Sequence, residues 1–69
     1  MEAFCVNKNE QDNGDHEVHR RCNRLPEVEN QEYLGDLPDS YSAIKEAQRR
    51  HPDWQVNGCF YCCPESHTS

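Results

Sequence analysis

The residues best suited to chemistry in this chain are its thiols and imidazoles. Five cysteines (Cys5, Cys22, Cys59, Cys62 and Cys63) and four histidines (His16, His19, His51 and His67) are spread over 69 residues. Cys59 and Cys62 are separated by two residues, the spacing at which two thiolates converge on one ion when the backbone between them turns tightly. Gly58 stands just before the pair and eases entry into such a turn. A closed tetrahedral site needs two further donors. His19 and Cys22 repeat the same spacing upstream, with 36 residues between Cys22 and Cys59. The ligand set read from this pattern is His19, Cys22, Cys59 and Cys62, and the ion it suits is Zn2+.

Alternatives exist at each end of that set. His16 competes with His19, but three positions apart on a strand their rings point to opposite faces, so one of them serves. Cys63 competes with Cys62, although adjacent residues of an extended segment also point apart. His67 can return from the tail as a ligand. His51, at a helix end, reads as a capping or surface group, and Cys5 as a bystander thiol.

A metal would answer a structural need. Leu, Ile, Val and Phe together number ten, and thirteen acids against seven bases leave a net charge of -6. So short and self-repelling a chain needs a metal, a disulfide or a partner to supplement its core. An odd number of cysteines precludes complete internal pairing. The start Met1-Glu2-Ala3-Phe4-Cys5 lacks the basic and apolar regions of a signal peptide, so a cytoplasmic, reducing setting is expected, and clustered thiols there read as metal ligands. No apolar run is long enough to span a membrane. The acidic balance argues against binding nucleic acid, since Arg20–Arg24 and Arg49–Arg50 are only two small basic clusters.

The elements that must position the ligands can be placed from pattern. Residues 1–14 are polar and aperiodic, and are expected to form a disordered arm. Glu17–Cys22 is a short strand. Gln31–Leu37 is a second, with Tyr33 and Leu37 on one face and Leu34 on the other. Pro38-Asp39-Ser40 delivers a helix cap, and a helix follows from about Tyr41 to Arg50. Tyr41, Ile44, Ala47 and His51 lie along one side of it with Ala43 beside them, and Pro52 stops it. Trp54 and Val56 cover the end of the core. Asn57-Gly58 then turns the chain into Cys59–Cys63, and Pro64 closes that element. The expectation is an α+β fold: a small zinc-stapled domain over residues 15–64, with a short two- or three-stranded antiparallel sheet, one helix and a closing Cys knuckle. Residues 65–69 would be a flexible tail.

His19-x2-Cys22, Leu25-Pro26, Glu29-Asn30, a helix carrying Ala43 and Ala47, and Gly58-Cys59-x2-Cys62 together resemble the Ada-type metal-binding domain. Similar modules are appended to some nucleases, where a Val-His step precedes the first cysteine, as Val18-His19 does here. Small stand-alone bacterial zinc-binding proteins of unknown role also look similar. The resemblance covers about residues 17–63. It implies a zinc-binding α+β module with a short sheet, one helix and a closing knuckle. In the Ada domain the site has four cysteines, one of which accepts a methyl group from DNA phosphotriesters. Here His19 stands at the early position, the spacing to Cys22 is one residue shorter, and the stretch between the pairs is longer. Phe60, Tyr61 and Cys63 replace the basic residues that flank the closing cysteines in that family. The resemblance therefore implies the fold and the metal, but neither methyl transfer nor DNA binding.

The function expected from these readings is a structural zinc site in a small soluble, monomeric, non-enzymatic protein that acts by binding a protein partner. Trp54, Phe60 and Tyr61 are its contact aromatics unless the core takes them, and the core is expected to take at least two. The alternative is a thiol redox or metal-handling protein, with Cys63 as the spare thiol; an Ada-like nucleic-acid-binding module is a third reading, disfavoured by the acidic charge.

Overall fold

The computed structural model describes residues 1–20 and 25–68. Its elements are β1 (Glu2–Asn7), β2 (Asp15–His19), β3 (Gln31–Leu37), α1 (Ser40–Arg50) and β4 (Gln55–Gly58), with single 3-10 turns at Val28–Asn30 and Pro64–Ser66. The sheet order is β3-β1-β2-β4. β1 pairs antiparallel with both β2 and β3, while β2 and β4 run parallel. β3 and β4 are therefore parallel strands at opposite edges, and α1 is the crossover between them. The fold is α+β, as expected, but the sheet has four strands and is mixed rather than antiparallel.

The extra strand is the main correction. The stretch expected to be a disordered arm contributes β1, a central strand whose Phe4, Cys5 and Val6 are all buried. The run Ala3-Phe4-Cys5-Val6 is short and apolar, with no period because both of its faces are covered. Polar residues 8–14 hid it: they form the connection to β2, with Gly14 at φ +91° in its turn. The first strand predicted after the arm is shifted, since β2 starts at Asp15 rather than Glu17. Cys22, at its predicted end, lies outside the described residues.

Helix α1 forms where the cap places it. The Asp39 carboxylate accepts from the Ser42 backbone N–H at 2.8 Å. Ser40, Ala43 and Ala47 are buried and Ile44 packs against the core, but Tyr41 is exposed. Small residues at 40, 43 and 47 let the helix lie close to the sheet. The core it closes contains Phe4, Val6, Val18, Leu34, Ala43, Ala47, Cys59, Cys62 and Cys63, with Leu37, Ile44, Trp54 and Val56 packed around it.

Strand β3 matches its predicted bounds but not its predicted faces. Phe4 pairs with Gly35 and Cys5 with Tyr33, so Leu34 is an extra residue in the ladder. Gly35, at φ +114°, makes this bulge possible. The added residue resets the alternation, and Leu34 and Leu37 both reach the core while Tyr33 is exposed.

Candidate metal centre

β2 and β4 bring two distant parts of the chain together. Their parallel register places Val18 beside Gly58. The Cys59 N–H then donates to the Val18 carbonyl at 2.9 Å, so the knuckle begins against the end of β2. It closes at once: the Cys63 N–H donates to the Cys59 carbonyl at 2.8 Å, wrapping residues 59–63 into one turn. This is the tight turn that the Cys59-x2-Cys62 spacing calls for; only the Cys62–Cys63 step, expected to be extended, differs. The turn puts Cys59 and Cys62 on one side, as a C-x2-C pair requires.

His19 meets them there. Val18 and Val6 are cross-strand partners in the core, and His19 and Cys5 are the next pair along. Ligand atoms of His19, Cys59 and Cys62 all lie within 4.8 Å of one another, the one group among the described residues in which three such donors converge. His19 Nδ1 is 3.7 Å from Cys62 Sγ. An ion with Zn–S of about 2.3 Å and Zn–N of about 2.0–2.1 Å in tetrahedral geometry separates its ligand atoms by roughly 3.5–3.8 Å. The observed distance is an edge of that tetrahedron.

The electrostatics favour a ligand. His19, Cys59 and Cys62 are all buried. Burial lowers the His19 pKa from its ordinary value, against the opposing pull of the Glu17 carboxylate, so the ring is held neutral as metal binding needs. Glu17 Oε1 stands 3.6 Å from His19 Nε2, on the side away from Cys62. A carboxylate behind a histidine orients the ring and raises its basicity. Glu17 as a positioning group was not singled out from the sequence, although two residues apart on a strand it shares the His19 face.

The other candidate donors are elsewhere or in supporting roles. His16, on the opposite face of β2, has Nδ1 2.9 Å from the Asn7 carbonyl and stacks on Trp54, with ring centroids 3.7 Å apart. His51 caps α1, stacks on the other face of Trp54 at 3.6 Å, and contacts Glu32 at 2.8 Å through Nε2. His67 has Nδ1 2.9 Å from the Gly58 carbonyl. Cys5 is buried in β1 outside the three-donor group. Cys63 is also outside it but is not turned away: its Sγ is 3.9 Å from Cys62 Sγ. Burial pushes the Cys63 thiol up, partly offset by contacts with Cys62 and the Arg20 backbone. Cys22, the remaining predicted ligand, lies outside the described residues.

Two features brace the knuckle. Gly58 matters through space rather than backbone freedom, because a Cβ there would sit 2.2 Å from Ser66 Oγ and 2.9 Å from the Cys63 carbonyl oxygen. Glu65 ties the following turn to the rest of the fold. Its carboxylate accepts from Arg20 at 2.8 Å and Ser40 Oγ at 2.5 Å, and its carbonyl accepts from the Tyr41 hydroxyl. Residues 65–68, expected to be a flexible tail, are thus packed: Ser66 is buried and Thr68 bonds to Asn57. Of the three aromatics considered as contacts, only Trp54 packs against the core; Phe60 and Tyr61 are exposed.

The site is thus a buried N/S donor cluster able to hold a metal ion. No helix among the described residues is long and apolar enough to cross a membrane. Comparison of the chain with protein-family models, curated proteins and solved structures finds no match to any of them.

Proposed function

We propose that this chain is a small zinc-binding protein whose ion is structural, held by His19, Cys59, Cys62 and, as fourth ligand, Cys22. The observation that carries this reading is the convergence of His19, Cys59 and Cys62 at the junction of β2 and the knuckle. Soft thiolates with one imidazole, His19 and Cys62 at a tetrahedral edge distance, suit Zn2+ better than Mg2+ or Ca2+, which take oxygen donors. Three thiolates and a neutral imidazole around a divalent ion leave one negative charge, and the Arg20 backbone is beside the site. Bound there, the ion would supply no reaction chemistry but would fasten the end of β2 to the C-terminal knuckle. With all four positions filled by protein, no open position remains for substrate, so we read the protein as a non-enzyme.

The exposed pair Phe60 and Tyr61, edge to face at 5.3 Å, sits on the knuckle between the metal-binding cysteines. It supports the reading of a partner-binding module whose contact surface the metal keeps in shape. The Ada-type resemblance remains compatible with the metal but adds no DNA-binding role. A second reading, thiol redox or metal handling, is favoured by the contact between Cys62 and Cys63.

Elemental analysis combined with zinc-edge X-ray absorption tests the first reading. One zinc per chain with a first shell of three sulfurs and one nitrogen is expected. His19→Ala and Cys59→Ser should each lose zinc, whereas His16→Ala and Cys63→Ser should retain it. A metal-free protein, or Cys63→Ser losing more zinc than His19→Ala, would overturn the assignment.

A further inference from the structure

Cys63 is a buried thiol for which the metal site has no use. It is 0% exposed, and the hydrogen bond of its N–H to Cys59, together with the tight approach of Gly58, keeps its backbone in place. Its Sγ is nonetheless 3.9 Å from that of Cys62. Of the two described cysteine donors Cys62 is the more accessible, 8% exposed against 1% for Cys59. A metal-bound cysteine is a thiolate, the form that attacks oxidants.

We propose that Cys62 and Cys63 form a redox switch on the metal site, in which a hydroperoxide drives their linkage and releases the ion. This inference rests on the zinc-site reading above and adds regulation to it. In the first step the Cys62 thiolate attacks hydrogen peroxide, the O–O bond breaks, and Cys62 becomes a sulfenic acid with hydroxide leaving. In the second step the Cys63 sulfur displaces hydroxyl from Cys62, forming the S–S bond. The Cys63 proton and the displaced hydroxyl leave as water. Two cysteine sulfurs are oxidised by two electrons in total, peroxide is reduced, and the metal ion keeps its oxidation state while losing a thiolate ligand. The sulfurs must close from 3.9 Å to about 2.05 Å. Adjacent Cα atoms lie only about 3.8 Å apart, below the usual disulfide range of about 4.4–6.8 Å. The linkage is consequently strained and easily reduced, as a reversible switch requires.

The test uses the full chain with its metal content measured first. Hydrogen peroxide is added, zinc release is followed with a chromogenic indicator, and the protein is analysed by intact and tandem mass spectrometry. Expected is a loss of two mass units mapped to Cys62–Cys63, one zinc released per linkage, and recovery of both on adding a thiol reductant and zinc. Cys63→Ser should instead accumulate oxygen adducts on Cys62 and recover less than a tenth of its zinc. The wild-type mapping needs no variant. A metal-loaded protein that links Cys62 to another cysteine, or a Cys63→Ser chain that recovers its zinc fully, overturns the switch alone. A protein with no metal before peroxide overturns the zinc reading and the switch with it.

Discussion

Replacing Gly58 by Ala adds one methyl at the point where β4 meets the turn after the knuckle. The new Cβ would lie 2.2 Å from Ser66 Oγ, 2.9 Å from the Cys63 carbonyl oxygen and 3.2 Å from Cys63 Cβ. To reach ordinary contact near 3.4 Å, Ser66 Oγ must retreat by about 1.2 Å and the Cys63 carbonyl by about 0.5 Å. The hydroxyl can rotate. The carbonyl cannot move without its backbone, which carries Cys62 one residue earlier, and metal–ligand distances tolerate only about 0.2 Å. Overpacking of this kind costs about 1–3 kcal/mol, or a fall in Tm of roughly 5–20 °C for a domain of this size. Zinc affinity should fall by about 10–100-fold, as for loss of other supports around a metal site. Thermal unfolding and chelator competition measure the two quantities. The double variant Gly58→Ala with Ser66→Ala should recover only part of each loss, because the carbonyl contact persists. A Gly58→Ala protein with unchanged Tm and zinc affinity would falsify the argument that close approach selects glycine here.

The other predictions address separate parts of the fold. Phe4→Ala should cost about 3–5 kcal/mol, and deleting residues 1–7 should abolish the folded state in circular dichroism, since β1 is central; retained protection of β2 amides after that deletion would refute it. Complete metal removal at neutral pH should collapse the near-ultraviolet signal, and an unchanged spectrum would show that the core stands without the ion. Burial raises the Glu32 carboxyl pKa, but hydrogen bonds and charge from His51 and Arg50 outweigh that and hold it below its ordinary value of 4.5. A folded pKa below the unfolded one gives stability that is complete above about pH 4.5 and lost as the pH falls through the folded value. The stability gap between wild type and Glu32→Gln should therefore be widest at neutral pH and narrow in acid; a gap that widens in acid would reverse the assignment.

Elements with a local cause are legible along the chain. Asp39 supplies a cap, the apolar side holds residues 43, 44 and 47, and Pro52 ends the turn, so α1 was legible to within a residue. Strand β3 was legible because its apolar residues are bounded by turn signals. Three of the four residues picked as ligands are described, and they converge. Strand alternation also limits the site to one of His16 and His19, since their faces differ whatever the sheet does, and the x2 spacing to Cys22 favours His19.

Other features depend on partners distant in the chain. Residues 1–14 look like an arm because the short apolar run at Phe4–Val6 has no period and is outweighed by the polar residues after it; β2 and β3 on either side make it a strand. The faces of β3 were misread because a bulge at Leu34 depends on pairing with Phe4 and Cys5. Cys62 and Cys63 were expected to point apart as extended neighbours, yet the turn closed by the Cys63 N–H brings their sulfurs into contact. Gly58 was read as freedom for the backbone, whereas its place is set by Ser66 and Cys63. In each case spacing along the chain fixes what a residue offers, while the strand or turn packed against it decides which neighbour receives the offer.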